Sequence, residues 1–165
     1  MTRKESVTKS ARAWNNMKQR CYSEKYQTKY PTYIGCYVCE EWLNYDTFKE
    51  WFNKNYVEGY VLDKDILVEG NKVYSPQTCC FVPQMINNLY KAYTDKEVSD
   101  TGVFQTGNTY EVKISKFGRR CAFGSFYDKE CASQAYQNAK KDYKIQLADI
   151  YESTLDNRVY KILKC

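Results

Sequence analysis

The sequence predicts an α+β protein, in which a helix-flanked ββα unit precedes a three-stranded antiparallel sheet with a long helix. The first observation is a strand–turn–strand–helix pattern over residues 60–88. The second is a set of three short β-prone runs within 103–126, followed by a helical stripe from about Asp128. Turn-forming residues near 99–102 separate the two patterns. We therefore predict one domain at 1–97 and a second at 98–165.

The ββα unit is predicted where a short apolar run, Tyr60–Leu62, leads to the carboxylates Asp63 and Asp65. The predicted second strand is Lys72–Tyr74, after a Gly-Asn turn, and the predicted helix follows Pro83. In this arrangement a carboxylate at the end of the first strand can face an amide on the helix.

Two amphipathic helices are predicted to cover this small unit. The first spans 7–22, after a mobile basic start at 1–6, and residues 23–31 are predicted to break regular structure. A short β-prone run follows at 33–39. The second helix spans 42–52, with Asn44 and Asp46 as its caps.

Positive charge is concentrated near the N-terminus of a chain whose net charge is +5. Such segregation suits an anionic partner, and nucleic acid is the commonest one. The predicted phosphate-contacting residues of this segment are Arg3, Lys4, Lys9 and Arg12. The alternative is a solvated helix surface. No apolar run has the length of a membrane span and the N-terminus does not resemble a signal peptide, so we predict a soluble, cytoplasmic protein without a membrane partner.

Eight cysteines in a chain of this kind favour reduced thiols or a metal site over disulfides. Cys36 and Cys39 form a Cys-x-x-Cys pair, and Cys21 with Cys79 (or Cys80 in its place) could complete a structural zinc site. The alternative is that the four thiols are buried core residues. The absence of a second Cys-x-x-Cys pair favours this alternative.

Residues 62–87 resemble the HNH (ββα-metal) nuclease motif as it occurs in phage homing endonucleases. Leu62–Asp65 occupies the Asp-His segment of that motif, and Pro76–Cys79 occupies its Pro-Glu-Asn-Leu segment. The resemblance implies that Asp63 and Asn87 hold Mg²⁺. Lys64 stands where the family has its general-base histidine, and the chain contains no histidine.

Lys64 has two alternative roles. As a catalytic base, or as a positive charge that holds the phosphate, it would serve an active nuclease, but a lysine base needs its pKa lowered by roughly three units. In the structural alternative, Asp63 and Asp65 are turn or cap residues, and Lys64 pairs with them.

The second half resembles the AP2 DNA-binding domain. The residues that carry the resemblance are Tyr110-x-Val112-x-Ile114, Phe123-Gly124-Ser125-Phe126 and an Ala-Tyr stripe at Ala132, Ala135, Tyr136 and Ala139. In that family the sheet lies in the major groove of DNA and the helix packs behind it. The residues expected to contact DNA here are Lys113, Lys116, Arg119 and Arg120. The alternative is a small α+β domain with ordinary surface lysines.

Together these features predict a DNA-binding protein of the phage HNH/AP2 homing-endonuclease type, with a degenerate catalytic site and double-stranded DNA as its partner. One alternative is a non-catalytic phage protein that binds and inhibits a nuclease or defence complex of the bacterial host cell. A further alternative is an active Mg²⁺-dependent endonuclease that uses Lys64 in place of histidine.

Overall fold

Mixed hydrophobic periodicity in the sequence produces a mixed α+β structure, as predicted. The computed structural model describes the backbone of residues 3–90 and 102–165 and the side chains of residues 9–90 and 102–165. Tertiary contacts divide the chain into a first unit, Met1–Gln84 with Asp156–Val159, and a second unit, Met85–Leu155 with Tyr160–Cys165. The predicted boundary at 97–98 lies outside the described residues. Within the described ranges, no helix combines the length and apolar composition that a membrane crossing requires.

The N-terminal part of the chain is more helical than predicted. Helix α1 spans Arg3–Tyr22, so it already includes most of the segment predicted as a mobile start. Helix α2 spans Glu24–Lys29, where a break was expected. Its physical cause is Ser23, whose side chain accepts a hydrogen bond from the Tyr26 N–H at 3.3 Å and so caps the helix. A single 3-10 turn, Pro31–Tyr33, ends the segment.

The predicted helix at 42–52 consists of two helices, α3 at Glu40–Leu43 and α4 at Tyr45–Asn55. Asn44 separates them, because its Oδ1 accepts hydrogen bonds from the N–H groups of Asp46 (2.8 Å) and Thr47 (3.3 Å). The capping role predicted for Asn44 is confirmed. These helices and α1 enclose the hydrophobic core of the first unit, which consists of Met17, Cys21, Cys36, Val38, Trp42, Phe48, Phe52, Tyr74, Cys79 and Phe81.

The strand pairing in the first unit differs from the prediction. Strands β1 (Tyr37–Val38) and β3 (Val73–Tyr74) pair in parallel, while β2 (Tyr60–Asp63) pairs antiparallel with β4 (Cys80–Pro83). A ββα unit would pair the first predicted strand with Lys72–Tyr74, but its partner in the structure is β4. This pairing places Leu62 opposite Phe81, a residue of the hydrophobic core, and every residue of β4 is buried. Helix α5, Gln84–Tyr90, follows β4 directly, and from Met85 onward it belongs to the second unit.

The second unit contains the predicted antiparallel sheet. Its strands are β5 (Val103–Thr106), β6 (Thr109–Lys116) and β7 (Arg119–Phe126), in that order across the sheet. Helix α6, Lys129–Tyr151, packs on one face, and helix α7 spans Asn157–Lys164. Val103, Val112 and Ala132 form the buried core between sheet and helix. Side chains alternate along β6, where Val112 and Ile114 are buried and Ser115 between Ile114 and Lys116 is exposed.

Candidate nucleic-acid interface

The hairpin between β6 and β7 concentrates positive charge at its tip. Its connection is Phe117–Gly118, and both residues have positive φ values, 49° and 76°. Two positive φ values are characteristic of the type I′ turn, whose twist matches that of the flanking strands. Lys116 and Arg119 face each other directly across this turn. Like charges in such a pair repel each other, so the sheet carries them at a cost in stability.

The face of the sheet away from α6 carries a second group of cations around one aromatic ring. The guanidinium carbon of Arg120 lies 4.7 Å from the centroid of Phe104, and Lys113 Nζ lies 5.7 Å from the same centroid. Lys113 also forms an ion pair with Glu111 at 2.7 Å. Arg119 and Arg120 are both exposed, and within the described ranges neither guanidinium contacts a carboxylate. The two arginines are therefore the cations of this hairpin best placed to meet an external anion.

The structure brings the four predicted DNA-contacting residues of the second half onto one hairpin, but distributes them over both of its sides. Lys113 and Arg120 lie on the open face. Lys116 points toward α6, with Nζ 5.7 Å from the ring centroid of Tyr143, and Arg119 is its cross-strand partner. A ribbon with cations on both sides can meet phosphates on both walls of a groove.

The DNA-contacting residues predicted near the N-terminus lie on α1 and not on the hairpin. Lys9 Nζ donates to both carboxylate oxygens of Glu58 at 2.6 Å, so its charge is already paired. Arg12 is exposed on α1. Arg3 and Lys4 lie in the same helix, but their side chains are outside the described part of the chain. These residues stay predicted DNA contacts.

No sequence motif indicated that Phe104, Phe117 or Tyr143 belongs to this surface. In the structure the Phe117 N–H donates to the Tyr143 hydroxyl at 2.8 Å. The one available signal was a phenylalanine before glycine in a two-residue hairpin turn, where asparagine is the usual residue.

The Asp63–Lys64 segment forms a closed loop of internal hydrogen bonds. Asp63 Oδ1 accepts from the N–H groups of Asp65 and Ile66, each at 2.8 Å. The Lys64 side chain is 6% exposed, and its Nζ donates to Asp65 Oδ1 and to the Asn71 carbonyl, each at 2.5 Å. The Asn71 side-chain amide returns a hydrogen bond to the Lys64 carbonyl at 2.8 Å. The turn formed by Asp63 and the pairing of Lys64 with Asp65 agree with the structural alternative for Lys64, whereas the contacts with Asn71 were not predicted.

The candidate magnesium ligands Asp63 and Asn87 lie in different units, Asp63 at the end of β2 and Asn87 on α5. Burial raises the pKa of the Asp63 carboxyl, although the two backbone donors oppose the rise. A raised pKa works against the ionised form that a Mg²⁺ ligand needs. Magnesium binding by Asp63 and Asn87, and the role of Lys64 as a base, stay predictions.

We expect Lys64→Met to lower the free energy of unfolding by about 1–3 kcal/mol, because it leaves the Asn71 carbonyl without its donor. Tryptophan fluorescence during urea unfolding measures the effect, since Trp14, Trp42 and Trp51 all lie in the first unit. Lys54→Met on the exposed side of α4 is the matched control and should have almost no effect. Equal stability of the two variants would contradict a structural role for Lys64.

The four candidate zinc ligands lie at the core of the first unit. Cys21, Cys36 and Cys79 are buried in the hydrophobic cluster, and Cys39 packs against it. Burial raises the pKa of Cys21 and of Cys79 to about 12, which disfavours the thiolate that binds metal. In the part of the chain that the structure describes, no three Cys, Asp or Glu side chains are grouped so that they could hold a metal ion. These contacts support the core-thiol alternative, and the zinc site stays a prediction.

Comparison with known proteins adds no relative to these observations. The chain matches no protein-family model, no curated protein and no solved structure. The resemblances to the HNH and AP2 families therefore rest on the motif residues alone.

Proposed function

We propose that this protein binds double-stranded DNA through the β6–β7 hairpin, and that its Asp63–Lys64 segment does not cleave the DNA. The observation that carries the proposal is the grouping of Lys113, Lys116, Arg119 and Arg120 on both sides of one exposed hairpin. Duplex DNA presents a phosphate strand on each side of a groove, and the major groove admits a two-stranded β-ribbon. A sheet with a helix behind it also agrees with the resemblance to the AP2 family.

The pairing of Lys64 with Asp65 and with the Asn71 carbonyl supports the non-catalytic part of the proposal. A general base has to reach the water that it activates, but this ammonium group is buried and already donates two short hydrogen bonds. The test is plasmid nicking with Mg²⁺ or Mn²⁺. Robust nicking that Lys64→Met abolishes would contradict the proposal and favour the nuclease alternative.

We expect the double replacement Arg119→Ala with Arg120→Ala to weaken binding to a duplex and to reduce its salt dependence. Each lost phosphate contact removes about 0.9 from the slope of log K against log salt, so the slope should fall by up to about 2. Fluorescence anisotropy with a labelled mixed-sequence duplex, titrated at several salt concentrations, measures both quantities.

The matched control replaces Lys140 and Lys141 by alanine on α6, which packs against the other face of the sheet. This variant loses the same net charge but should keep most of the affinity and salt slope. Equal losses in the two double variants would mean that net charge attracts the DNA, without a specific surface. Wild-type protein that does not bind duplex DNA would overturn the proposed function.

A further inference from the structure

The tip of the β6–β7 hairpin carries a bulky residue in a backbone conformation that bulky residues rarely adopt. Phe117 has a φ of 49°. This left-handed conformation brings the side chain of an L-residue close to its own backbone, and it is an outlier for large side chains. Asparagine or glycine would satisfy the same turn with less strain. Residues with a strained backbone are concentrated at functional sites of proteins.

The Phe117 side chain packs against a buried residue of α6 but stays partly open to solvent. The residue is 46% exposed, and its ring meets the Tyr143 ring edge-on, with centroids 5.3 Å apart and an interplanar angle of 80°. The Tyr143 hydroxyl accepts the Phe117 N–H, and Tyr143 itself is 3% exposed within α6. The turn is therefore fixed to the body of the unit, and a partly exposed aromatic ring is held there in one orientation.

The surroundings of Phe117 match the chemistry of a nucleic-acid duplex. Lys116 and Arg119 flank the turn on one side of the hairpin, and Arg120 lies on the other. When phosphates bind these cations, the tip between them is directed at the base pairs. An apolar side chain in that place can insert between two stacked base pairs and kink the duplex.

We propose that Phe117 is a wedge that inserts between adjacent base pairs of the bound DNA and bends it. This inference rests on the proposed function, because it requires that the hairpin contacts duplex DNA. It adds a substrate property to that function, since a wedge favours base steps that unstack easily, such as TA and CA/TG. The protein should therefore prefer DNA with flexible base steps, and this preference needs no hydrogen bonds to base edges.

The test is DNA cyclisation by ligase, on mixed-sequence fragments of about 150 base pairs, close to the persistence length of DNA. Wild-type protein should increase the cyclisation rate. Phe117→Asn should fold, because the strain relieved in the turn offsets the lost contact with the Tyr143 ring, and it should lose most of this increase. Its affinity for a duplex should fall by about tenfold, as expected when one base-stacking aromatic ring is lost, while the salt slope stays unchanged. If Phe117→Asn does not fold, Phe117→Gly provides the same test.

Phe117→Tyr is the matched control, because it keeps the ring and should keep the bending activity. A second measurement uses duplexes with 2-aminopurine at TA steps, whose fluorescence should rise with wild-type protein and with Phe117→Tyr but not with Phe117→Asn. Wild-type protein that binds duplex DNA without bending it, or equal bending by Phe117→Asn, would overturn the wedge and leave the proposed function intact. Absence of duplex binding by the wild type would overturn both.

Discussion

Gly102→Ala should lower the free energy of unfolding of the sheet-bearing unit by about 2–5 kcal/mol. Gly102 has a φ of 60°, which costs an L-residue about 1–2 kcal/mol. A Cβ atom at this position would also lie 2.7 Å from the Lys113 carbonyl oxygen and would clash with Cε2 of Tyr136. Overpacking of this kind costs a further amount of about 1–3 kcal/mol. The Gly102 carbonyl accepts the Lys113 N–H at 2.9 Å, so the backbone has little freedom to move away.

Gly107→Ala separates the two causes. Gly107 has nearly the same φ, 59°, but a Cβ atom there would meet no atom within 4 Å. Its replacement should therefore cost only the backbone term of about 1–2 kcal/mol. Chemical unfolding followed by far-UV circular dichroism is the measurement, because this unit contains no tryptophan. Equal losses in the two variants would show that the close approach to Tyr136 and Lys113 has no energetic consequence.

The second unit could be predicted closely because its signals are local. Gly107–Asn108 and Phe117–Gly118 mark two short hairpin connections, and the apolar residues between them alternate with period two. Asp128 begins α6 by accepting the Cys131 N–H at 2.8 Å, at the position where the helical stripe was predicted to start. Each of these features depends on residues that are close in sequence, so the pattern alone determines them.

The pairing of β3 could not be predicted in the same way. Val73–Tyr74 pairs in parallel with Tyr37–Val38, through hydrogen bonds from Tyr37 N–H to the Lys72 carbonyl and from Cys39 N–H to the Tyr74 carbonyl, each at 2.9 Å. A two-residue strand carries almost no periodicity, and a parallel partner is always distant in sequence. The nearest β-prone run was therefore a plausible but wrong partner for β2.

The candidate sites show the same limit. The charges of the hairpin could be located from sequence, because strand alternation assigns a side to each residue. The second contact of the Lys64 ammonium group could not be predicted, since its acceptor is the backbone carbonyl of Asn71, and any residue type can supply a carbonyl. Arg158 lies far from residues 77–79 in the sequence, yet its guanidinium donates to the carbonyls of Gln77 (3.0 Å) and Cys79 (3.2 Å). No sequence motif predicts this contact.

Trp42→Ala should have a comparably large effect on the first unit. Trp42 is 0% exposed. Its ring centroid lies 5.1 Å from that of Phe48, in an edge-on contact, and 4.6 Å from that of Trp51. Truncation removes the largest fully buried side chain of the structure and leaves a cavity that these neighbours can fill only in part. Replacing a buried tryptophan in this way typically costs about 3–5 kcal/mol.

Leu43→Ala is the control for this prediction, because Leu43 is the next residue of the same short helix but is 52% exposed. This replacement should change the free energy of unfolding by no more than about 0.5 kcal/mol, the usual range for a surface position. Fluorescence of Trp14 and Trp51 follows the unfolding of both variants, and in a small domain each kcal/mol lost lowers Tm by about 4–8 °C. A Trp42→Ala variant as stable as Leu43→Ala would mean that the aromatic cluster of α3 and α4 does not stabilise the first unit. A large loss confined to Trp42→Ala would instead show that the burial of this ring stabilises the first unit, which contains Lys64.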